Sequence, residues 1–336
     1  MQALRGIAAL WVVFFHLSAA EHIPALHAWL PAIASGAIFD SGHYGVAIFF
    51  TLSGFVIAHS LDGAVMTTRG VAQFMLRRSI RLDPAYWVSM VVVVAVGAAV
   101  SVLRDKPFVV PDGGAILAHI LYLQEILAVP EIDVVYWTLT YEIQFYAIFA
   151  AAMMIRGSML PLFAIALLSA AGLLDAAPEG LFFHYWGSFF IGVIARRATD
   201  DRRWVVGMAI LGALLVMDNG FGAINAATAL LLYVTVRSGW AETGLNWRWL
   251  QFLGAISYSL YLLHNPIISV TGWMAHKVFG AGIAADIASL IAILAAAVIG
   301  STLFWFLVER PTQRLSKRIS FTSDVKGSGT GIAGTV

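Results

Sequence analysis

The chain of 336 residues is 60% hydrophobic and only 12% charged, with a formal net charge of +1 at pH 7. So apolar a composition excludes an ordinary soluble surface, and it predicts an all-α, polytopic membrane helical bundle. Because cysteine is absent, disulfides, thiolate metal sites and an acyl-cysteine intermediate are excluded as well.

Hydrophobic segments bounded by turn or charge clusters fall at residues 4–20, 44–61, 84–103, 136–155, 159–174, 182–195, 204–217, 221–236, 250–272 and 284–308, which predicts about ten transmembrane helices. Those between 159 and 236 are shorter than the ~20 residues of a straight span, so a merged or re-entrant pair there stays open. The first segment has one Arg ahead of an apolar stretch, as a signal peptide has. It also contains a His and lacks a cleavage site, so it is expected to be retained as a helix. Residues 62–83 read as the main inside loop and 104–135 as the longest outside loop, with AILAHILYLQEIL forming a short interfacial helix.

The basic residues orient the set. With the N-terminus cytoplasmic, the inside connections hold Arg69, Arg77, Arg78, Arg81, Arg156, Arg196, Arg197, Arg202, Arg203, Arg237 and Arg248. The opposite loops hold only Arg104, Lys106 and Lys277, among acidic residues that include Asp175 and Asp218. This asymmetry predicts an even number of spans with both termini cytoplasmic. Residues 1–318 read as a single transmembrane domain, and the Gly- and Ser/Thr-rich residues 319–336 as a disordered cytoplasmic tail.

Ionisable side chains inside a membrane are costly, so each is a candidate functional group. On the first helix Arg5 and His16 are eleven positions apart, roughly 16 Å along the axis. Glu142 of WTLTYEIQFY and His264 of YLLHNPI, beside Asn265 and a helix-breaking Pro266, complete the set. A neutral imidazole near a buried carboxylate is a general-base arrangement, which makes His16 the candidate base and Glu142 its expected orienter. The alternative for His16 is a hydrogen bond to a neighbouring helix, and for His264 helix packing. In FMLRRSIRLDPAYW, Arg77 and Arg81 share a helical face with Arg78 beside them; they could clamp phosphate oxygens, with Arg5 joining from the same side. The same arginines would equally serve as a juxtamembrane stretch that fixes topology or binds lipid headgroups. Ser53 and Gly54 place a small, polar break in GVAIFFTLSGFVI, read first as a site of close helix approach. Trp137 reads as an interfacial anchor, and with Ser53, Tyr146, His264 and Asn265 is carried as a substrate-binding or structural candidate. No metal-binding spacing, Walker loop or dinucleotide fingerprint is present, and no basic patch interleaved with aromatics suggests nucleic acid.

LRGIAALWVVFFH, FFTLSGFVI, RRSIRLDPAYW, WTLTYEIQFY, ISYSLYLLHNPI and FLVERP occur in that order from Gln2 to about Pro311. On these motifs the chain resembles the acyltransferase-3 family of bacterial integral-membrane O-acyltransferases, in particular those that modify exopolysaccharides and lipopolysaccharide O-antigens. Two departures stand out: Thr138 replaces the usual Ser before the Glu, and Asp83 replaces an uncharged residue beside the arginines. The resemblance implies a multi-pass protein of the bacterial inner membrane that carries an acyl group, commonly acetyl from cytosolic acetyl-CoA, to a sugar hydroxyl on the outer side. It implies that His16 is the essential histidine and that Arg5, Arg77, Arg78 and Arg81 bind acyl-CoA. The expected acceptor is exopolysaccharide, O-antigen or a lipid-linked intermediate, with a small molecule such as a macrolide as a variant. A fused hydrolase-like domain is not expected. The reading from a different class is a transporter or flippase of a lipid-linked saccharide, in which the intramembrane His and Glu relay protons.

Overall fold

The computed structural model describes residues 1–62, 66–105, 107–240 and 246–319. Lys106 and residues 320–336 of the expected tail lie outside the described residues. Among the described residues all regular structure is helical, as hydrocarbon demands: a helix satisfies its own backbone, whereas an open strand in lipid leaves polar groups unpaired.

In chain order the helices are α1 (Gln2–Ala19), α2 (Pro24–Trp29), α3 (Ala32–Ile38), α4 (Gly45–Ser60), α5 (Thr68–Arg104), α6 (Gly113–Ile120), α7 (Trp137–Ala152) and α8 (Met159–Ala170). They continue as α9 (Trp186–Asp200), α10 (Arg203–Asp218), α11 (Gly220–Arg237), α12 (Arg248–Ala255), α13 (Ser257–Phe279), α14 (Ile283–Phe304) and α15 (Arg310–Ser316). Short 3₁₀ turns at Asp40–Tyr44 and Phe182–Tyr185 lead into α4 and α9, and a π-helical turn at Trp305–Glu309 joins α14 to α15. Among the described residues, five helical stretches are long and apolar enough to cross a membrane: Gln2–Ala19, Ala32–Ser60, Thr68–Arg104, Gly220–Arg237 and Ile283–Ser316. The protein is therefore multi-pass. The short helix expected within residues 104–135 forms at Gly113–Ile120, capped by the Asp112 carboxylate, which accepts from the Ala115 N–H.

Residues 68–83, expected as loop, are instead the first half of a 37-residue helix that runs straight through Pro84. Thr67 caps its start by accepting the Gly70 N–H at 3.1 Å. Proline removes one backbone donor and crowds the preceding turn. The carbonyls of Arg81 and Leu82, in that turn, take hydroxyls from Thr312 and Tyr258. Asp83, on the same turn, accepts from Ser79 and from the Tyr122 hydroxyl, so its carboxylate is satisfied by neutral donors. The Tyr258 and Thr312 hydroxyls tie the turn beside the proline to α13 and α15.

Helices α4 and α9 approach backbone to backbone. A Cβ at Gly54 would lie against the Phe189 carbonyl, and one at Gly192 against the Thr51 carbonyl and the Phe55 amide. Only hydrogen at both positions lets the two backbones touch, which is the role expected for Gly54. Around this seam Thr51 donates to Asn225 at 2.8 Å, and the Asn225 amide donates to Ser188 at 3.0 Å. Gly54→Val and Gly192→Val should each destabilise the detergent-solubilised protein by roughly 1–3 kcal/mol or more, read as a lower melting temperature. Gly113→Ala, with open space around its Cβ, should leave the melt unchanged; an unaltered melt for both valine variants would contradict the close packing.

Candidate functional site

Helix α1 runs between two polar regions. At its N-terminal end the Arg5 Nε donates to the Ser257 hydroxyl at 3.3 Å. From α5, the Arg78 guanidinium lies 4.7 Å from the centre of the Tyr146 ring and 5.5 Å from that of Phe74. Arg81 stands within electrostatic reach of both Arg5 and Arg78. Among the described residues none of these three guanidiniums is in an ion pair. Glu309, within electrostatic reach of Arg5 and Arg81, is already occupied: it takes the Ser259 N–H at 3.2 Å, the Ser259 hydroxyl at 2.5 Å and the Gln313 amide at 2.7 Å. Three unpaired positive charges gathered from two helices repel one another, and a polyanion between them would relieve that repulsion with charge-assisted bonds. The structure thus brings Arg5 and Arg78 within electrostatic reach of Arg81, with Arg77 one turn before Arg81 on the same helix.

At the other end of α1, His16 lies on the wall of a cavity of about 550 Å³. The ends of many helices meet there: the C-terminal ends of α1, α8 and α10, and the N-terminal ends of α4, α7, α9 and α11. Its wall carries the rings of Trp137, Tyr185 and Phe221 together with Asp175, Asp218, Asn219, His43 and His184. Trp137 is thus a cavity residue, its ring 5.2 Å from that of Tyr185, and not the lipid-facing anchor expected of it. The His16 ring also lies 5.0 Å from that of His264, with the planes inclined by 52°.

Among the described residues no hydrogen bond joins Glu142 to His16. Its carboxylate accepts the Ser53 hydroxyl at 2.6 Å and the Tyr146 hydroxyl, and the Tyr146 ring in turn carries Arg78. The reason is the intervening helix: α4 packs against both α1 and α7, and its Ser53 takes the Glu142 carboxylate. Glu142, Ser53 and Tyr146 therefore belong with the arginines, as a polar junction below the cavity. Ser53, expected first as a spacer, is the hydroxyl of that junction.

Asn265 donates its amide to the Asp133 carboxylate at 2.7 Å, tying the loop before α7 to α13 one residue after His264. Burial pushes the Asp133 carboxyl up to about 6, while the Asn265 amide and the Val135 N–H act in the opposite direction. A raised carboxyl pKa means that the folded protein holds this proton more tightly than the unfolded chain, so stability is lost as pH rises from about 4 to 6. Asp133→Asn removes that loss. The melting temperature of the variant relative to the parent protein should therefore rise between pH 4 and pH 7, by an amount on the order of 2–3 kcal/mol in stability; a constant difference would show that Asp133 does not titrate as a buried acid.

Fold and site together define a multi-pass membrane protein whose polar groups are gathered between its helices at the two ends of α1. The acyltransferase-3 family model, described as an acyltransferase domain, matches residues 1–309, and the chain belongs to that family. Over 323 residues it is 28% identical to the exopolysaccharide production protein ExoZ of Rhizobium meliloti (strain 1021), covering 87% of this chain and 96% of that protein. It is also 28% identical over 350 residues to BcsY of Komagataeibacter xylinus, provisionally described as a membrane-bound transacylase, covering 92% of this chain and 81% of that protein. No solved structure matches the chain significantly.

Proposed function

We propose that the protein transfers an acyl group, acetyl in the simplest case, from cytosolic acyl-CoA to a hydroxyl of a saccharide at the outer face of the bacterial inner membrane. The observation that carries this reading is the arrangement along α1: Arg5 stands in an unpaired guanidinium cluster at one end, and His16 lines a large cavity at the other. The phosphates of CoA would bind Arg5, Arg78 and Arg81, and its long, thin pantetheine arm would pass the Glu142–Ser53–Tyr146 junction so that the thioester reaches His16. Such a path converts a two-sided reaction into one between held groups, which removes much of the entropic barrier.

The acceptor reading draws on the cavity and on the relatives. Its volume falls within the range of small-ligand sites, its aromatic rings offer faces for a sugar, and Asp175, Asp218 and Asn219 offer partners for hydroxyls. ExoZ is named for exopolysaccharide production, and an exopolysaccharide or its lipid-linked precursor is the corresponding acceptor here. His16 would act as general base on the acceptor hydroxyl, so that direct attack on the thioester needs no covalent enzyme intermediate.

With purified protein, radiolabelled acetyl-CoA and a saccharide acceptor, His16→Ala should lose on the order of 10²-fold or more in turnover while keeping its melting temperature. Full activity in that variant would sink the base role. Arg81→Glu should raise the KM for acyl-CoA at least tenfold with little loss of expression. An unaltered KM for Arg81→Glu would leave the arginines a role in topology alone, and saccharide movement across the membrane without any acyl transfer would favour a transporter.

A further inference from the structure

His264 is completely buried, and its Nδ1 lies 2.8 Å from the carbonyl oxygen of Tyr261 and 3.1 Å from that of Leu260. A carbonyl oxygen only accepts, so Nδ1 carries the proton, and the neutral ring keeps a lone pair on Nε2. That second nitrogen sits on the ring edge turned away from the backbone of α13, buried and without a hydrogen-bond partner. Buried polar atoms are rarely left so, and one that is requires a reason. The His16 ring lies 5.0 Å away between centres, its plane inclined by 52°. Two imidazoles joined edge to edge by an N–H···N bond of ~2.9 Å have their centres about 5 Å apart, which is the separation of these two rings.

We infer that His264 is the positioning residue for His16: its Nε2 accepts the N–H of one His16 ring nitrogen and so leaves the other, on the cavity side, as the lone pair that meets the acceptor. This role deepens the acyl-transfer reading and rests on it. In the step itself the acceptor hydroxyl gives its proton to the free nitrogen of His16 as its oxygen bonds to the acyl carbon. The C–S bond of the thioester then breaks, and the proton held by His16 passes to the departing thiolate. Throughout, the second N–H of His16 stays on His264, whose own Nδ1–H stays on the carbonyls of Leu260 and Tyr261. A neutral imidazole thus takes the place that a carboxylate holds in other base arrangements, which accords with Glu142 being committed to Ser53 and Tyr146.

The test uses the full-length protein in lipid nanodiscs, with His264→Phe, which keeps a ring but removes the acceptor, and His264→Gln, whose amide oxygen lies near the place of Nε2. His264→Phe should lower kcat on the order of 10²-fold with the KM for acyl-CoA within twofold of the parent, and His264→Gln should recover at least tenfold of that loss. If the Phe variant fails to fold, His264→Asn replaces it, because its shorter amide remains at the Nδ1 edge. Independently of turnover, ¹⁵N-histidine NMR should show one His16 tautomer in the parent and Gln proteins and a mixture in the Phe protein. A kcat within threefold of the parent for His264→Phe, or the same His16 spectrum in parent and Phe proteins, would overturn the assignment. Absence of any acyl transfer by the parent protein would overturn the acyl-transfer reading instead, and the NMR comparison would still decide the pairing of the two histidines.

Discussion

An ionisable side chain within an apolar bundle must find polar company, and α1 carries two, eleven residues apart on one helix. Arg5 meets Ser257 and the arginines of α5; His16 meets the imidazole of His264 and the wall of a cavity. The arrangement of the remaining helices can be read as the provision of that company. Helix α5 passes unbroken through Pro84 and so holds Arg78 and Arg81 at fixed spacing opposite Arg5. The tight α4–α9 contact at Gly54 and Gly192 draws the N-terminal ends of both helices to the cavity, where they bring Val46 and Ser188 to its wall.

Between the two ends lies a junction built from a carboxylate that would be intolerable alone. Glu142 is held by two hydroxyls, one from α4 and one from its own helix, and Arg78 rests on the ring that bears the second. The junction thereby links the arginine cluster to the helices that form the cavity. In the proposed reaction this is where the donor's arm passes, and a partly polar passage suits a pantetheine with its two amides better than a wholly apolar one.

What sequence could and could not supply follows from the range of each signal. Apolar runs mark helices locally, so α1, α4, α7 and α9 to α11 stand close to their expected positions. The charged stretch 68–83 has no apolar run to mark a long helix; the shared face of Arg77 and Arg81 marks only a turn or so of it, and the contacts from Tyr258 and Thr312 come from far away in the chain. Arg5 and His16 were legible because an ionisable group in an apolar run is a local anomaly. The partners of His16 and Glu142 were not, because depth along a helix does not say which neighbour faces it, and α4 supplied the hydroxyl that sequence could not place. The cavity wall is the extreme case: His43, Asp175, His184 and Asn219 come from separate helix ends, and Asp175 and Asp218 had registered only as part of a charge asymmetry.

The central claim is that donor and acceptor meet from opposite faces, one at the arginine end of α1 and the other at the His16 end. Proteoliposomes of known protein orientation test it, with saccharide acceptor sealed inside and radiolabelled acetyl-CoA added outside. Where the arginine end faces out, label should appear on the enclosed acceptor while acetyl-CoA stays excluded from the lumen. Label appearing only when acetyl-CoA and acceptor share a compartment would contradict the account.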